Sequence, residues 1–80
     1  MYKKNYIIID QKAYICGLPH FLVKRKDDES EFWFDEFFIE LSEKLANGEK
    51  LGSIITKWNI DDTVLGHSIH VLLKERLLKK

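Results

Sequence analysis

The spacing of hydrophobic residues changes near residue 35, and this change restricts the fold more than any other feature of the sequence. Before residue 35, apolar residues occur in short β-branched and aromatic runs, which are typical of strands. After it, they recur at steps of three and four residues, which is the spacing of one helix face. We therefore predict an α+β fold in which an N-terminal antiparallel β-sheet of three or four short strands packs against three C-terminal helices.

The first strands are predicted from two short apolar runs. Residues 6–9 and 13–16 are rich in isoleucine and tyrosine, and the polar residues 10–12 between them suit the loop of a β-hairpin. The only proline lies in the segment 17–19, where its missing N–H is expected to interrupt the sheet. Residues 20–25 predict a third strand.

Residues 31–34 fit two different structures. They suit either a fourth strand or the first turn of a helix that begins with a capping pair, Asp28 and Glu31. We favour the strand, with Asp35 as the helix cap, because Phe32 would otherwise point away from the core face of the helix.

Three apolar stripes predict the three helices. The first stripe begins after Asp35 and ends before Gly48, a residue that suits the left-handed conformation in which many helices end. The second stripe covers residues 51–58, and Asp61 is a good N-cap for the third helix. The main stripe of the third helix consists of Leu65, Ile69 and Leu72.

A second apolar line accompanies the third helix. Val64, Val71 and Leu78 are seven residues apart, which places them on a neighbouring face of a continuous helix. Either the sheet covers this line or the line is the seam of a symmetric homodimer.

Composition limits the class of protein. The 80 residues are 45% hydrophobic and 32% charged, which is typical of one folded domain and not of a disordered tail. We expect a single domain, β-rich over residues 1–34 and helical over residues 35–80. Cys16 is the only cysteine, and no apolar run approaches the roughly 18 residues of a membrane span. A cytoplasmic protein with no membrane partner is therefore expected.

No motif for catalysis stands out in the sequence. The serines lie outside a strand–turn–helix context, and the glycines are too widely spaced for a phosphate-binding loop. The carboxylates are so numerous that no pair is distinguished as an acid and a base. We predict that the protein is not an enzyme and that it has no cofactor.

Cys16, His20, His67 and His70 offer the ligand types of a tetrahedral zinc site. Their spacing does not match that of a zinc finger, and the first two flank a Gly-Leu-Pro turn. The alternative is that Cys16 is a small core residue and that the histidines lie on the surface. We favour this alternative and predict no metal site.

Charge is distributed unevenly along the chain. Residues 27–43 contain eight acidic residues and no Lys or Arg, whereas residues 44–80 contain seven basic and four acidic residues. Three consecutive aromatic residues, Phe32, Trp33 and Phe34, lie within the acidic segment. We expect Phe34 to face the core and Trp33 or Phe32 to remain partly exposed. We expect the same partial exposure for Ile39.

Aromatic side chains among charges of one sign suit a partner that presents Lys and Arg, because a desolvated ring supplies energy while charge steers the encounter. Such a surface can also imitate the phosphates of a nucleic acid. The alternative is a solvated acidic turn beside ordinary core aromatics. The predicted partner-binding residues are Asp27, Asp28, Glu29, Glu31, Trp33, Asp35, Glu36 and Glu40.

The sequence therefore predicts a small non-catalytic regulator or inhibitor that binds a larger protein with a basic surface, which is itself a candidate nucleic-acid-binding protein. Short single-domain chains rich in Lys and Ile are often encoded by phages and other mobile elements. This association suggests a similar origin here.

A second interpretation rests on the last thirty residues. Residues 51–60, followed by residues 61–65, resemble a helix-turn-helix motif, with two helices, a short turn and apolar anchors. The match departs from the usual pattern at three positions: Ile55 replaces a small residue, Asn59 replaces the turn glycine, and Ser68 replaces an apolar residue.

The resemblance implies a DNA-binding transcriptional regulator whose third helix enters the major groove. Asp61 and Asp62 at the start of that helix carry the wrong charge for phosphate contacts. The DNA-binding residues implied by this alternative are Lys57, Thr63, His67, His70 and Lys74.

Overall fold

A computed structural model describes residues 1–80, and four of its five strands precede the helices, as the sequence predicts; the short strand that follows the helices is not predicted. The strands are β1 (Lys3–Lys4), β2 (Tyr6–Ile15), β3 (Leu18–Arg25), β4 (Glu31–Asp35) and β5 (Leu78–Lys79). The helices are α1 (Glu36–Ala46), α2 (Leu51–Trp58) and α3 (Asp62–Lys74). An antiparallel sheet in the order β2-β3-β4 and a small β1-β5 sheet accompany the three helices, which confirms the α+β fold.

The core lies between the helices and one face of the three-stranded sheet. Strand register places Phe21 beside Phe34 and Val23 beside Phe32 on this inner face, and all four pack into the core cluster. The helices contribute fully buried leucines and isoleucine to the same cluster, namely Leu41, Ile54 and Leu72. Burial of each such side chain stabilises the fold by roughly 1.5–3 kcal/mol.

The predicted hairpin between residues 6–9 and 13–16 is wrong, because residues 6–15 form one continuous strand, β2. Asp10 and Gln11 are a β-bulge: the register with β3 shifts between Ile9 and Lys12. A polar interruption in a strand pattern fits a bulge as well as a loop, and the sequence alone does not separate the two.

The hairpin turn lies instead at Cys16 and Gly17, between β2 and β3. Both residues have positive φ angles, 53° and 79°, which is the conformation of the tight turns that suit twisted strands. Pro19 therefore belongs to β3 and does not interrupt the sheet. It is tolerated because β4 pairs with β3 only from His20 onwards.

The prediction for residues 31–34 is confirmed, since they form β4 and not the start of a helix. The Asp35 carboxylate accepts a hydrogen bond from the backbone N–H of Phe38 (3.2 Å) and so caps α1. Gly48 follows the helix with a φ of +83°, as predicted. The exposure expected for Ile39 is wrong, because this residue is buried in the core.

The expected seven-residue line on α3 is wrong because the helix ends at Lys74. Arg76, with a φ of 58°, reverses the chain, and Leu78 enters the core from β5. Val64 and Leu78 are thus on different elements and form no common seam. The predicted N-cap of α3 is confirmed, since Asp61 accepts from the N–H of Thr63 (2.7 Å). None of the helices is long and apolar enough to cross a membrane.

Candidate functional site

The first part of the acidic segment, Asp27 and Asp28, is paired with basic residues from other parts of the chain. Asp28 accepts two hydrogen bonds from the Arg25 guanidinium (3.0 and 2.9 Å) and one from the N–H of Ser30 (3.1 Å). Asp27 pairs with Lys79 (3.0 Å) and lies 3.7 Å from Arg76. The turn after β3 is therefore held to the C-terminal end of the chain.

Arg25 is the centre of this paired cluster. Its side chain is buried, donates to the backbone carbonyl of Glu75 and lies 4.8 Å from the ring centroid of Phe32. One guanidinium thus connects β3, the acidic turn, β4 and the end of α3. Such a residue stabilises the fold rather than offering a free surface.

The electrostatics of the cluster agree with this structural role. Hydrogen bonds from Arg25 hold the pKa of Asp28 well below its usual range, and the ammonium of Lys79 lowers the pKa of Asp27. Glu43 at the other end of the acidic segment lies 3.6 Å from Lys4. Although residues 27–43 contain no Lys or Arg, basic residues outside this segment therefore supply counter-charges to Asp27, Asp28 and Glu43.

The middle of the segment lies on the outer face of the sheet, away from the helices. Glu31 and Trp33 point to this face together with Leu22, and Trp33 is 42% exposed. Glu31 and Glu29 form no ion pair. Asp35 is occupied as the cap of α1. The partial exposure predicted for Trp33 is confirmed.

The last part of the segment borders an open groove between α1 and the α2–α3 connection. Glu36 and Glu40 lie one helical turn apart on α1, and neither forms an ion pair. The groove has a volume of about 440 Å³. We call it the acidic groove, and its lining residues are Glu36, Phe37, Glu40, Trp58 and Ile60.

Aromatic rings form the floor of the acidic groove. Phe37 packs against Trp58 with ring centroids 5.5 Å apart, and it meets Phe38 edge-on at 5.4 Å. Phe38 stacks on Phe34 at 5.4 Å, and so the row of rings continues into the core beside β4. This packing fixes the orientation of Phe37 and Trp58, so the floor is preformed.

A neighbouring depression of about 470 Å³ extends the groove along α1 and shares Glu40 and Trp58 with it. Here the Glu49 carboxylate accepts hydrogen bonds from the ammonium groups of Lys57 (2.8 Å) and Lys44 (3.3 Å), and these groups lower the pKa of Glu49. The ammonium of Lys44 also lies 5.8 Å from the centroid of the Trp58 ring. One face of the Trp58 ring is thus already in contact with a cation of the protein itself, the Lys44 ammonium.

The residues of the two other interpretations lie elsewhere. Thr63, His67, His70 and Lys74 are all exposed on α3, as the helix-turn-helix interpretation requires, whereas Lys57 is engaged by Glu49. Cys16 is exposed in the hairpin turn and not in the core as predicted. No three His, Cys, Asp or Glu side chains meet in an arrangement that could hold a metal ion, so the four candidate zinc ligands are not brought together.

Three residues of the groove were not predicted as site residues. The sequence assigned Phe37 and Trp58 to core stripes and Ile60 to the connection, yet all three are only partly buried. A signal was present: Phe37 lies between Glu36 and Glu40, so one side of the apolar stripe is bordered by carboxylates at helical spacing.

The carboxylates of the acidic groove can pair with a positive charge, and its aromatic rings can pack against an aliphatic chain. This combination suits a Lys or Arg side chain, which has an aliphatic stem and a charged head. No protein-family model matches the chain, and no curated protein or solved structure is significantly similar to it.

Proposed function

We propose that the protein is a small non-catalytic regulator or inhibitor that binds a larger protein with a basic surface through the acidic groove. One observation carries the proposal: Glu36 and Glu40 lack ion-pair partners and stand beside the aromatic floor formed by Phe37 and Trp58. The other carboxylates of the acidic segment are mostly engaged in the fold or lie on another face. The binding surface is therefore smaller than the sequence predicts and is centred on α1.

The recognition mode follows from the geometry of α1. Glu36 and Glu40 are about 6 Å apart along the helix axis, so each carboxylate can pair with one of two neighbouring basic groups of a partner. The stem of a Lys or Arg then covers Phe37 or Trp58, and burial of this aromatic surface supplies the energy. Charge steers the encounter, so affinity is expected to fall with increasing salt.

A direct test uses the two tryptophans as internal probes. Their indole N–H groups give two separate NMR signals, one from the groove (Trp58) and one from the outer face of the sheet (Trp33). On titration with a synthetic peptide of alternating Lys and Leu, we expect the Trp58 signal to shift and the Trp33 signal to stay. A shift confined to Trp33 would move the binding site to the sheet and contradict the proposal.

The partner itself is sought by pull-down from a nuclease-treated lysate with three forms of the protein. The wild type and Glu31→Lys are expected to retain the same partner, because Glu31 lies outside the groove. Glu36→Lys combined with Glu40→Lys is expected to lose it. The control variant changes charge in the same direction, so a loss with both variants indicates a nonspecific charge effect and not a groove.

A helix-turn-helix DNA-binding regulator remains the second candidate, because α2 and α3 are joined by a three-residue connection and α3 exposes the implied residues. Asn59, at the turn position, adopts the left-handed conformation with a φ of 51°. DNA binding is tested by fluorescence anisotropy of a labelled duplex at several salt concentrations. Lys74→Ala is expected to reduce the salt slope by about one if α3 contacts phosphates.

A further inference from the structure

The β2 strand exposes large apolar side chains on both of its faces. Ile7 and Ile15 are 51% and 42% exposed on the outer face, and Ile8 and Tyr14 are 46% and 68% exposed on the face that bears the helices. The acidic groove, on α1 and the α2–α3 connection, uses none of these residues. A cover for one face of the sheet would shelter only half of them.

The position of β2 in the sheet suggests what would cover both faces. The strand order is β2-β3-β4, so the backbone N–H and C=O groups along one edge of β2 have no strand partner. A strand added at this edge supplies neighbours on both faces of β2 together with backbone hydrogen bonds. The edge, and not either face, is therefore the feature that explains all four exposed side chains.

The charges of β2 select the strand that fits. When two β2 strands pair in antiparallel fashion, residues of the inner face lie beside residues of the inner face only if the two-fold axis passes through a residue and not between two residues. A centre at Asp10 or Lys12 places like charges opposite each other, whereas a centre at Gln11 places Asp10 opposite Lys12 of the second copy, twice. The same register places Ile8 opposite Tyr14 and Ile7 opposite Ile15, which are favourable cross-strand pairs.

We propose that the protein forms a symmetric dimer in which the β2 edges of two copies pair in antiparallel fashion around Gln11. The two sheets then become one six-stranded sheet, with the helices of both copies on the same side. The bulge at Asp10 and Gln11 lies at the two-fold axis of this dimer. The flanking charges discourage unrelated strands, because only a strand with complementary charges in this order fits them, and a second β2 in this register has such charges.

The alternative occupant is an extended segment of another protein. Such a segment would need the complementary order of charges and apolar residues, which a second β2 has by symmetry. This self-complementarity is why we choose the second copy. The dimer does not depend on the function proposed for the acidic groove, since Glu36, Glu40 and Trp58 lie outside the β2 edge.

A charge-swap experiment tests the register. Asp10→Lys alone and Lys12→Glu alone each place like charges opposite each other twice, so each variant is expected to weaken dimerisation roughly tenfold or more. An equimolar mixture of the two variants restores both opposite-charge contacts and is expected to form a heterodimer. Sedimentation velocity measures each state, and circular dichroism checks that both variants remain folded.

The single cysteine provides a distance for the same dimer. Cys16 is exposed in the turn after β2, and ten residue steps separate the two copies of Cys16 across the proposed pair. At about 3.3 Å per residue, spin labels there should lie roughly 33 Å apart, before allowance for their linkers and the bulge. A wild type that stays monomeric into the submillimolar range, or a mixture of the variants that fails to associate, overturns the proposal.

Discussion

Asp27 and Asp28 belong to the same acidic segment as Glu36 and Glu40, yet the structure treats the two pairs differently. The first pair is held by Arg25, Arg76 and Lys79, which bring the turn after β3 against the C-terminal end of the chain. The second pair has no basic neighbour within ion-pair distance and borders the acidic groove. The same density of charge in the sequence therefore supports stability in one place and recognition in the other.

The difference arises from the distance along the chain at which counter-charges are found. Lys79 lies 52 positions from Asp27 in the sequence, and β5 brings it back to the start of the acidic segment. No basic residue from a distant part of the chain reaches Glu36 or Glu40 in this way, although Lys4 reaches Glu43 on the same helix. Because the two acidic pairs have separate surroundings, a substitution that disturbs one pair should leave the other intact.

The largest effect is expected from Arg25→Ala, which removes the centre of the paired cluster. Asp28 loses its main partner, the Glu75 carbonyl loses a charged donor and Phe32 loses the guanidinium that covers it. We expect Tm to fall by at least roughly 10 °C in thermal unfolding by circular dichroism. The Tm of Arg25→Lys, which keeps the charge but not the planar guanidinium, should lie between those of Arg25→Ala and the wild type.

Acid should weaken the same cluster by protonating its carboxylates, without any change of sequence. The pKa values of Asp27 and Asp28 are lowered in the folded protein, so their contribution to stability is present above about pH 4 and is lost as pH falls below it. We expect Asp27→Asn with Asp28→Asn to be less stable than the wild type at pH 7 and to approach it at pH 2. Urea denaturation at both pH values measures the difference.

A smaller effect on stability is expected at the groove. Glu36→Gln with Glu40→Gln removes two charges that have no ion-pair partner, so the free energy of unfolding should change by no more than about 0.5 kcal/mol. Affinity for the Lys-Leu peptide should nevertheless fall about tenfold or more, because both charge contacts are lost. A destabilised variant with unchanged affinity would show that these residues support the fold.

The smallest effect is expected from Lys79→Ala, which opens the exposed part of the paired cluster. Its ammonium and the Asp27 carboxylate are both reached by solvent, so Tm should fall by no more than about 3 °C. A drop as large as that of Arg25→Ala would place the centre of the cluster at β5 and not at Arg25.

Local patterns predicted the elements whose signals lie within one segment. The spacing of apolar residues and the caps Asp35 and Asp61 gave the helices their approximate limits, and the direction of Phe32 correctly favoured a strand over a helix at residues 31–34. Asp10 and Gln11 misled because a bulge and a hairpin loop have the same polar signal.

Long-range contacts were beyond the same patterns. Leu78 continued the spacing of α3 in the sequence, but Arg76 turns the chain before that residue, and burial in the core replaces the expected seam. The sequence identifies the acidic segment but does not predict its division into two parts. That division depends on Arg76 and Lys79 returning to Asp27 and Asp28, which only the tertiary structure shows.

The most direct test of this division measures stability and peptide binding side by side for two charge-matched double variants, Asp27→Asn with Asp28→Asn and Glu36→Gln with Glu40→Gln. We expect a crossed result: the first variant loses stability and keeps its affinity for the Lys-Leu peptide, and the second keeps stability and loses affinity. Equal losses of stability in both variants, or equal losses of affinity, would show that the acidic segment acts as one surface and is not divided.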